Sequence, residues 1–256
     1  GDVAALEPTD IVGVVGARRA SSYGLDVARG LGRGLSAAGV PVVSGLALGI
    51  DSAAHAGALE AGGPVIGVLA GSAEVPYPAR GWKLHARVAQ RGAIVSELPP
   101  GASPRPWCFV ARNRIIAALS AATIVVQAAE RSGSLTTADF AAELGRAVGA
   151  VPGLVTSRLS AGTHALIQAG APLIRDPADV LELLASATGR TFAPLPTARI
   201  VLAPPLERLL VAVEDGRGTL GELATDDPRS TLAGLGALER LGLIRRGFGG
   251  RWERSA

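Results

Sequence analysis

The sequence predicts an α/β fold: a Rossmann-like, doubly wound and mostly parallel sheet followed by a small C-terminal winged-helix domain. Three observations predict it. Short β-rich runs alternate with helical stretches from Asp10 to about Leu184. Those runs are apolar at nearly every position, as strands covered on both faces are. A proline-rich break then precedes three helical patterns and a glycine-turned ribbon.

The elements follow in order. Ile11–Val15 reads as a first strand and Leu25–Ala38 as the helix after it. Val40–Ser44 is a second strand, leading into a helix of small residues at Asp51–Ala61. Val65–Leu69 and Ile94–Leu98 are strands flanking a helix at Trp82–Gln90. Arg112–Ser120 reads as a helix, Thr123–Ala128 as a strand and Thr136–Arg146 as a helix. Val148–Val151 and Leu173–Ile174 close the series around a helix at His164–Gln168. The expected domains are a remnant of an upstream region at 1–9, the Rossmann-like domain at 10–185, a linker at 186–203 and the winged helix at 204–256. In the last, Leu206–Val213, Leu220–Ala224 and Ser230–Leu241 are the helices, and Leu243–Glu253 the ribbon.

Composition narrows the function classes. The chain has 256 residues, 48% of them apolar and 18% charged, which supports one medium domain plus a small one and excludes disorder over most of its length. Cys108, the single cysteine, excludes an intramolecular disulfide framework and a multi-thiolate zinc site. No apolar run reaches the roughly 18 residues of a membrane span, so a cytoplasmic protein without membrane contact is expected. The chain has no methionine and opens Gly1-Asp2-Val3, which reads as a trimmed start. Net charge is only +3, and Lys83 is the one lysine among 25 basic residues. Arginine suits phosphate and base contacts, but GC-rich codon usage gives the same bias. Charge alone therefore does not establish nucleic-acid binding.

Three strand ends carry the chemistry. The first strand ends in Gly16-Ala17-Arg18, followed by Ser21 and Gly24, where glycine admits a ligand to the backbone and the next helix offers unpaired N–H groups. This is not the GxGxxG of a dinucleotide site. The second ends in Ser44-Gly45, leading to Asp51 and His55, which lie four apart on one helix face. We read Asp51 as a helix cap and His55 as packed against it or bonded to it, because two ligands without a third make a poor metal site. The third turn is Ser132-Gly133-Ser134-Leu135-Thr136, rich in hydroxyl and backbone donors. Between them lies Arg105-Pro106-Trp107-Cys108-Phe109, with Arg112-Asn113-Arg114 after it. Two of the nine aromatic residues stand here among three arginines, a pattern that suits single-stranded nucleic acid, where bases stack and phosphates pair. Cys108 has no placed base and there is no GxSxG elbow, so neither a thiol nor a serine hydrolase is expected.

In this order the blocks Gly16–Gly24, Ser44–His55, Phe109–Ser120, Ser132–Ala138, Gly145-Arg146, Val151-Pro152-Gly153 and Gly162–Ala171 resemble the DprA (Smf) family of DNA-processing proteins. Ala17 stands where that family usually has Ser, Val110 where it has Pro, and Pro106 where many members have Lys. The resemblance implies a non-catalytic protein without cofactor or metal. It would bind single-stranded DNA, pair as a homodimer through the Rossmann-like domain, and load the RecA recombinase in natural transformation. The implied contacts are Gly16, Ala17, Arg18, Ser21, Ser44, Gly45, Arg105, Trp107, Phe109, Arg112, Asn113, Arg114, Ser132, Gly133 and Thr136. One rival is a nucleotide phosphoribohydrolase of the LOG type, whose Pro-Gly-Gly loop is absent here and whose glutamate would be Glu143. The other is a winged-helix transcription regulator, which Asp226 and Asp227 before the third helix disfavour by repelling phosphate.

Overall fold

The computed structural model describes residues 1–193, 202–224 and 227–254. The chain divides into two compact units, 1–195 and 196–256.

The N-terminal unit is built on six parallel strands: β1 (Val12–Val15), β2 (Val42–Ser44), β3 (Val65–Val68), β4 (Ala93–Val95), β5 (Ala122–Val125) and β6 (Ala147–Ala150). Their spatial order is β4-β3-β2-β1-β5-β6, and every neighbouring pair is parallel. The expected final strand at Leu173–Ile174 is reduced to one bridge between Leu173 and Ala150. Alternate strand residues face opposite ways, so the sheet feeds two cores. Val12, Val14 and Ile124 pack under α1 (Ser22–Ala37), α2 (Ile50–Glu60), α3 (Trp82–Arg91) and α7 (Pro177–Thr188). Val15, Val43, Ile66 and Val125 pack under α4 (Pro106–Leu119), α5 (Leu135–Glu143) and α6 (Ala161–Gln168). The doubly wound sheet expected from the sequence is therefore present.

Two expectations need correction here. The helix expected at Arg112–Ser120 begins at Pro106, because proline has no N–H to lose in a first turn and its φ suits a helix start. The linker expected from 186 begins later. α7 runs to Thr188 and ends on Gly189 in the left-handed conformation. Arg190 then pairs with buried Asp10 at 2.8 Å, and Phe192 packs on the first core. Residues 194–201 of that expected linker lie outside the described residues.

The C-terminal unit holds α8 (Pro204–Glu214), α9 (Leu220–Leu223), α10 (Pro228–Arg240) and an antiparallel pair, β7 (Ile244–Arg246) with β8 (Trp252–Arg254). Leu235, Leu238, Ile244 and Trp252 form its core. Asp227 caps α10 by accepting from the Arg229 N–H at 2.9 Å; Asp226 lies outside the described residues.

Candidate nucleic-acid interface

The strand order reverses between β1 and β5, and at their carboxyl ends a cleft of about 560 Å³ opens. Open α/β sheets take ligands at such a switch point. One wall is the turn after β1, with Gly16 and Arg18; another is the first half of α4; the third is the turn Ser132–Ser134. Gly16 is required by close approach, since a Cβ there would stand 2.7 Å from Ile50 and 2.8 Å from the Gln127 carbonyl. The same Gln127 accepts from the Ser21 N–H and donates to the Ser21 hydroxyl, which caps α1 by accepting from Gly24. Ala17 is tied by its own backbone to Gln127 and Ile50.

Arg18 is exposed, and its guanidinium lies 4.7 Å from the centre of the Phe109 ring. It belongs to none of the ion pairs among the described residues. Phe109 is half-buried, and the ring of Tyr77, from the loop after β3, meets it at 5.2 Å and 47°. The stack therefore presents cation and aromatic together. A base can lie on the outer face of a guanidinium that is itself seated on a ring, while its phosphate meets the same charge. Phe109 and Arg18 also border a second, smaller pocket of about 120 Å³ against Leu48, Tyr77 and Pro78.

The third wall is braced from beneath. The Asn113 amide donates to the Gly133 carbonyl and to the Thr136 hydroxyl, both at 2.9 Å, and the Ser132 and Ser134 hydroxyls bond each other at 2.8 Å. The turn is thereby fixed: the Leu135 and Thr137 N–H groups at the start of α5 bond back to the Ser132 and Ser134 carbonyls, and the two serine hydroxyls line the cleft.

The turn after β2 is not a second anion site, as its sequence suggests. A carboxylate of the chain already fills it: Asp51 Oδ2 accepts from the Gly45 N–H at 3.1 Å and the Ala47 N–H at 3.4 Å. Asp51 thus holds the loop in place of capping α2. Ser44 is fully buried and donates to the Val14 carbonyl at 2.6 Å, a strand-to-strand tie. Arg112 is only 6% exposed; its Nη1 donates to the carbonyls of Gly45, at 2.7 Å, and Val68. A Cβ on Gly45 would strike that guanidinium. Burial pushes the Asp51 carboxyl up and the Arg112 guanidinium down, each toward its neutral form, and each charge opposes the other's shift. The pair is framework under the cleft.

His55 does not bond Asp51. Its Nε2 donates to the Ile66 carbonyl at 2.9 Å, its Nδ1 has no partner, and burial lowers its pKa to about 4. The unfolded chain, with an ordinary histidine near 6.5, then binds the extra proton first. Stability from His55 is complete above about pH 6.5 and is lost as pH falls toward 4, by about 2–3 kcal/mol at pH 4.5. Urea midpoints at pH 7.5 and 4.5 check this: His55→Gln should lose less stability on acidification than the parent by about that amount.

The structure thus brings Gly16, Arg18, Phe109, Arg112, Asn113, Ser132 and Gly133 around one cleft, with Thr136 bracing its third wall. It separates others. Trp107, two residues from Phe109 on a helix turning about 100° per residue, faces away. It is 61% exposed beside Glu97 in a different crevice. Arg114 pairs with Glu97, and Arg105 stands exposed at the start of α4 with its N–H on the Cys108 sulfur. Glu143, the rival glutamate, ends α5 and is not on the cleft. Tyr77 and Gln127 are additions that the sequence reading missed; the clue for Tyr77 was an aromatic set between Pro76 and Pro78. Among the described residues no group of three or more His, Cys, Asp or Glu side chains gathers to hold a metal, and no helix is long and apolar enough to cross a membrane.

Known proteins share this fold. The family described as DNA recombination-mediator protein A matches residues 1–185. A DNA processing protein DprA of Mycobacterium tuberculosis, named as putative, is 42% identical over 247 residues, covering 94% of this chain and 63% of that protein. The chain thus spans just under two thirds of that relative's length. The DprA structure from Streptococcus pneumoniae superposes with a TM-score of 0.66 at 41% identity, covering 71% of this chain and 63% of that one. DNA processing protein A from Helicobacter pylori, solved for its single-stranded DNA binding mode, gives 0.67 at 32% identity, covering 73% and 85%. With the profile matched across the whole six-stranded unit and the identities above, the chain belongs to the DNA recombination-mediator protein A (DprA) family.

Proposed function

We propose that this protein binds single-stranded DNA in the β1/β5 cleft, protects incoming strands and loads RecA onto them during natural transformation, without catalysing a reaction itself. The observation that carries the reading is the Arg18 guanidinium, in no ion pair among the described residues, stacked on Phe109 at the mouth of a cleft whose far wall is the hydroxyl-bearing turn Ser132–Ser134. The absence of acid–base chemistry fits the cleft lining. Among the described residues its one carboxylate, Asp51, is engaged with backbone N–H groups, and no second acid stands beside it for a glycosidic hydrolysis. The proposal places the protein in the cytoplasm, pairs two N-terminal units as a homodimer, and assigns no cofactor. Assembly of RecA on a single strand, followed with and without the protein, tests it. Acceleration by the parent, and none by Arg18→Ala, is expected; release of free base from AMP would support the phosphoribohydrolase instead.

The C-terminal unit reads as a winged-helix module for docking or dimer support, not for duplex reading. Its ribbon arginines Arg251 and Arg254 are held by Glu222 and Glu214, at 3.1 and 2.9 Å. A chain ending at Ala193 keeps α7 and the Arg190–Asp10 pair. It is expected to bind oligo-dT within about twofold of the full chain, a difference below ~0.5 kcal/mol. Titration of a labelled oligonucleotide with both proteins checks this.

A further inference from the structure

Trp82 is 56% exposed and joins neither core of the N-terminal unit. It opens α3, and the Lys83 ammonium lies 5.6 Å from the centre of its ring. Lys83, Arg87 and Arg91 follow at four-residue spacing, all exposed on one face of a helix that carries no acidic residue. Arg80 stands exposed just before it. None of these four cations belongs to an ion pair among the described residues. Lys83 in a helix's first turn also opposes the helix dipole, so helix stability does not explain it. Tyr77, whose ring meets Phe109 beside the cleft, stands five residues before Trp82, so the chain itself leads from the cleft edge to α3. On the other side of α4 the exposed Trp107 shares its crevice with Glu97, which repels phosphate.

We propose that a single-stranded polynucleotide seated in the cleft leaves it across Tyr77 and continues onto Trp82 and the Lys83–Arg87 face of α3, which form a second binding segment for the same strand. A base stacks on Trp82 and the following phosphates meet Lys83 and Arg87. The proposal rests on the cleft being a single-strand site, and oligonucleotide length separates the two claims.

The test is fluorescence anisotropy of labelled oligo-dT of roughly 4 and roughly 16 nucleotides, the range of single-strand site sizes. Trp82→Ala should bind the long oligonucleotide about tenfold more weakly, as loss of one base stack does, and the short one as the parent does. Trp82→Phe should restore most of the loss. Lys83→Ala should reduce the slope of log affinity against log salt by about 0.7 for the long oligonucleotide only. A parent that binds both lengths, with Trp82→Ala matching it at both or weakening both equally, overturns the second segment and leaves the cleft reading standing. A parent that binds neither overturns both.

Discussion

Arg112→Met is expected to lower the thermal midpoint by roughly 10 °C, because it removes a buried cation that bonds two carbonyls and offsets the Asp51 charge. Its guanidinium donates to the Gly45 and Val68 carbonyls and lies in the field of Asp51, all inside the fold. Methionine fills the volume but leaves two carbonyls unbonded and a carboxylate without its counter-charge. Breaking a buried pair from one side costs about 3–5 kcal/mol, and in a domain this size each kcal/mol moves the midpoint by about 2–4 °C. Asp51→Asn in the same chain should recover part of the loss, since a neutral amide needs no counter-charge. If Arg112 were instead a DNA contact, Arg112→Met would keep its midpoint and lose only affinity. Calorimetry of the single and double variants separates the two outcomes.

Arg18→Ala should weaken single-strand binding by about ten- to a hundredfold with little change in midpoint. The side chain is exposed, and a charge-assisted contact from it to a phosphate would be worth roughly 1.5–3 kcal/mol. Phe109→Ala should weaken binding over a similar range, about 1–3 kcal/mol for a base–aromatic stack. Phe109→Leu keeps the apolar area and should retain the fold while losing affinity. Because Arg18 sits on the Phe109 ring, the two losses should not add; the double variant should fall short of their sum by about 0.5–3 kcal/mol. Arg190 is unsuitable as a comparison site, since it pairs with buried Asp10. Arg33, exposed on α1, serves: Arg33→Ala should bind as the parent does. Equal curves for Arg18→Ala and Arg33→Ala would remove Arg18 from the site.

The sheet was legible because buried parallel strands write themselves as uninterrupted apolar runs, and the strand-end turns because Gly, Ser and Thr must stand there. What local pattern does not carry is which charge meets which. Arg112 lies 67 positions from Gly45, and only the fold shows that it spends its donors on that carbonyl. Ser44-Gly45 has the composition of an anion turn, yet the anion is Asp51, six residues on. Trp107 and Phe109 look like one aromatic cluster in a proline-broken loop. Once Pro106 is a helix's first residue, their spacing sends them to opposite sides. Tyr77 reaches Phe109 from a loop 32 positions earlier, and no periodicity announces that contact.

The central claim is that the Arg18–Phe109 cleft holds a flexible single strand through stacking and phosphate charge. Gel shifts of single-stranded and duplex DNA of equal length, at two salt concentrations, test it most directly. Unpaired bases reach a stacking platform only when they are out of a duplex, and each released counterion steepens the salt dependence. The account predicts clear preference for the single strand, affinity that falls steeply with salt, and loss of that preference in Phe109→Ala. Equal affinity for both forms at matched length and salt would contradict it.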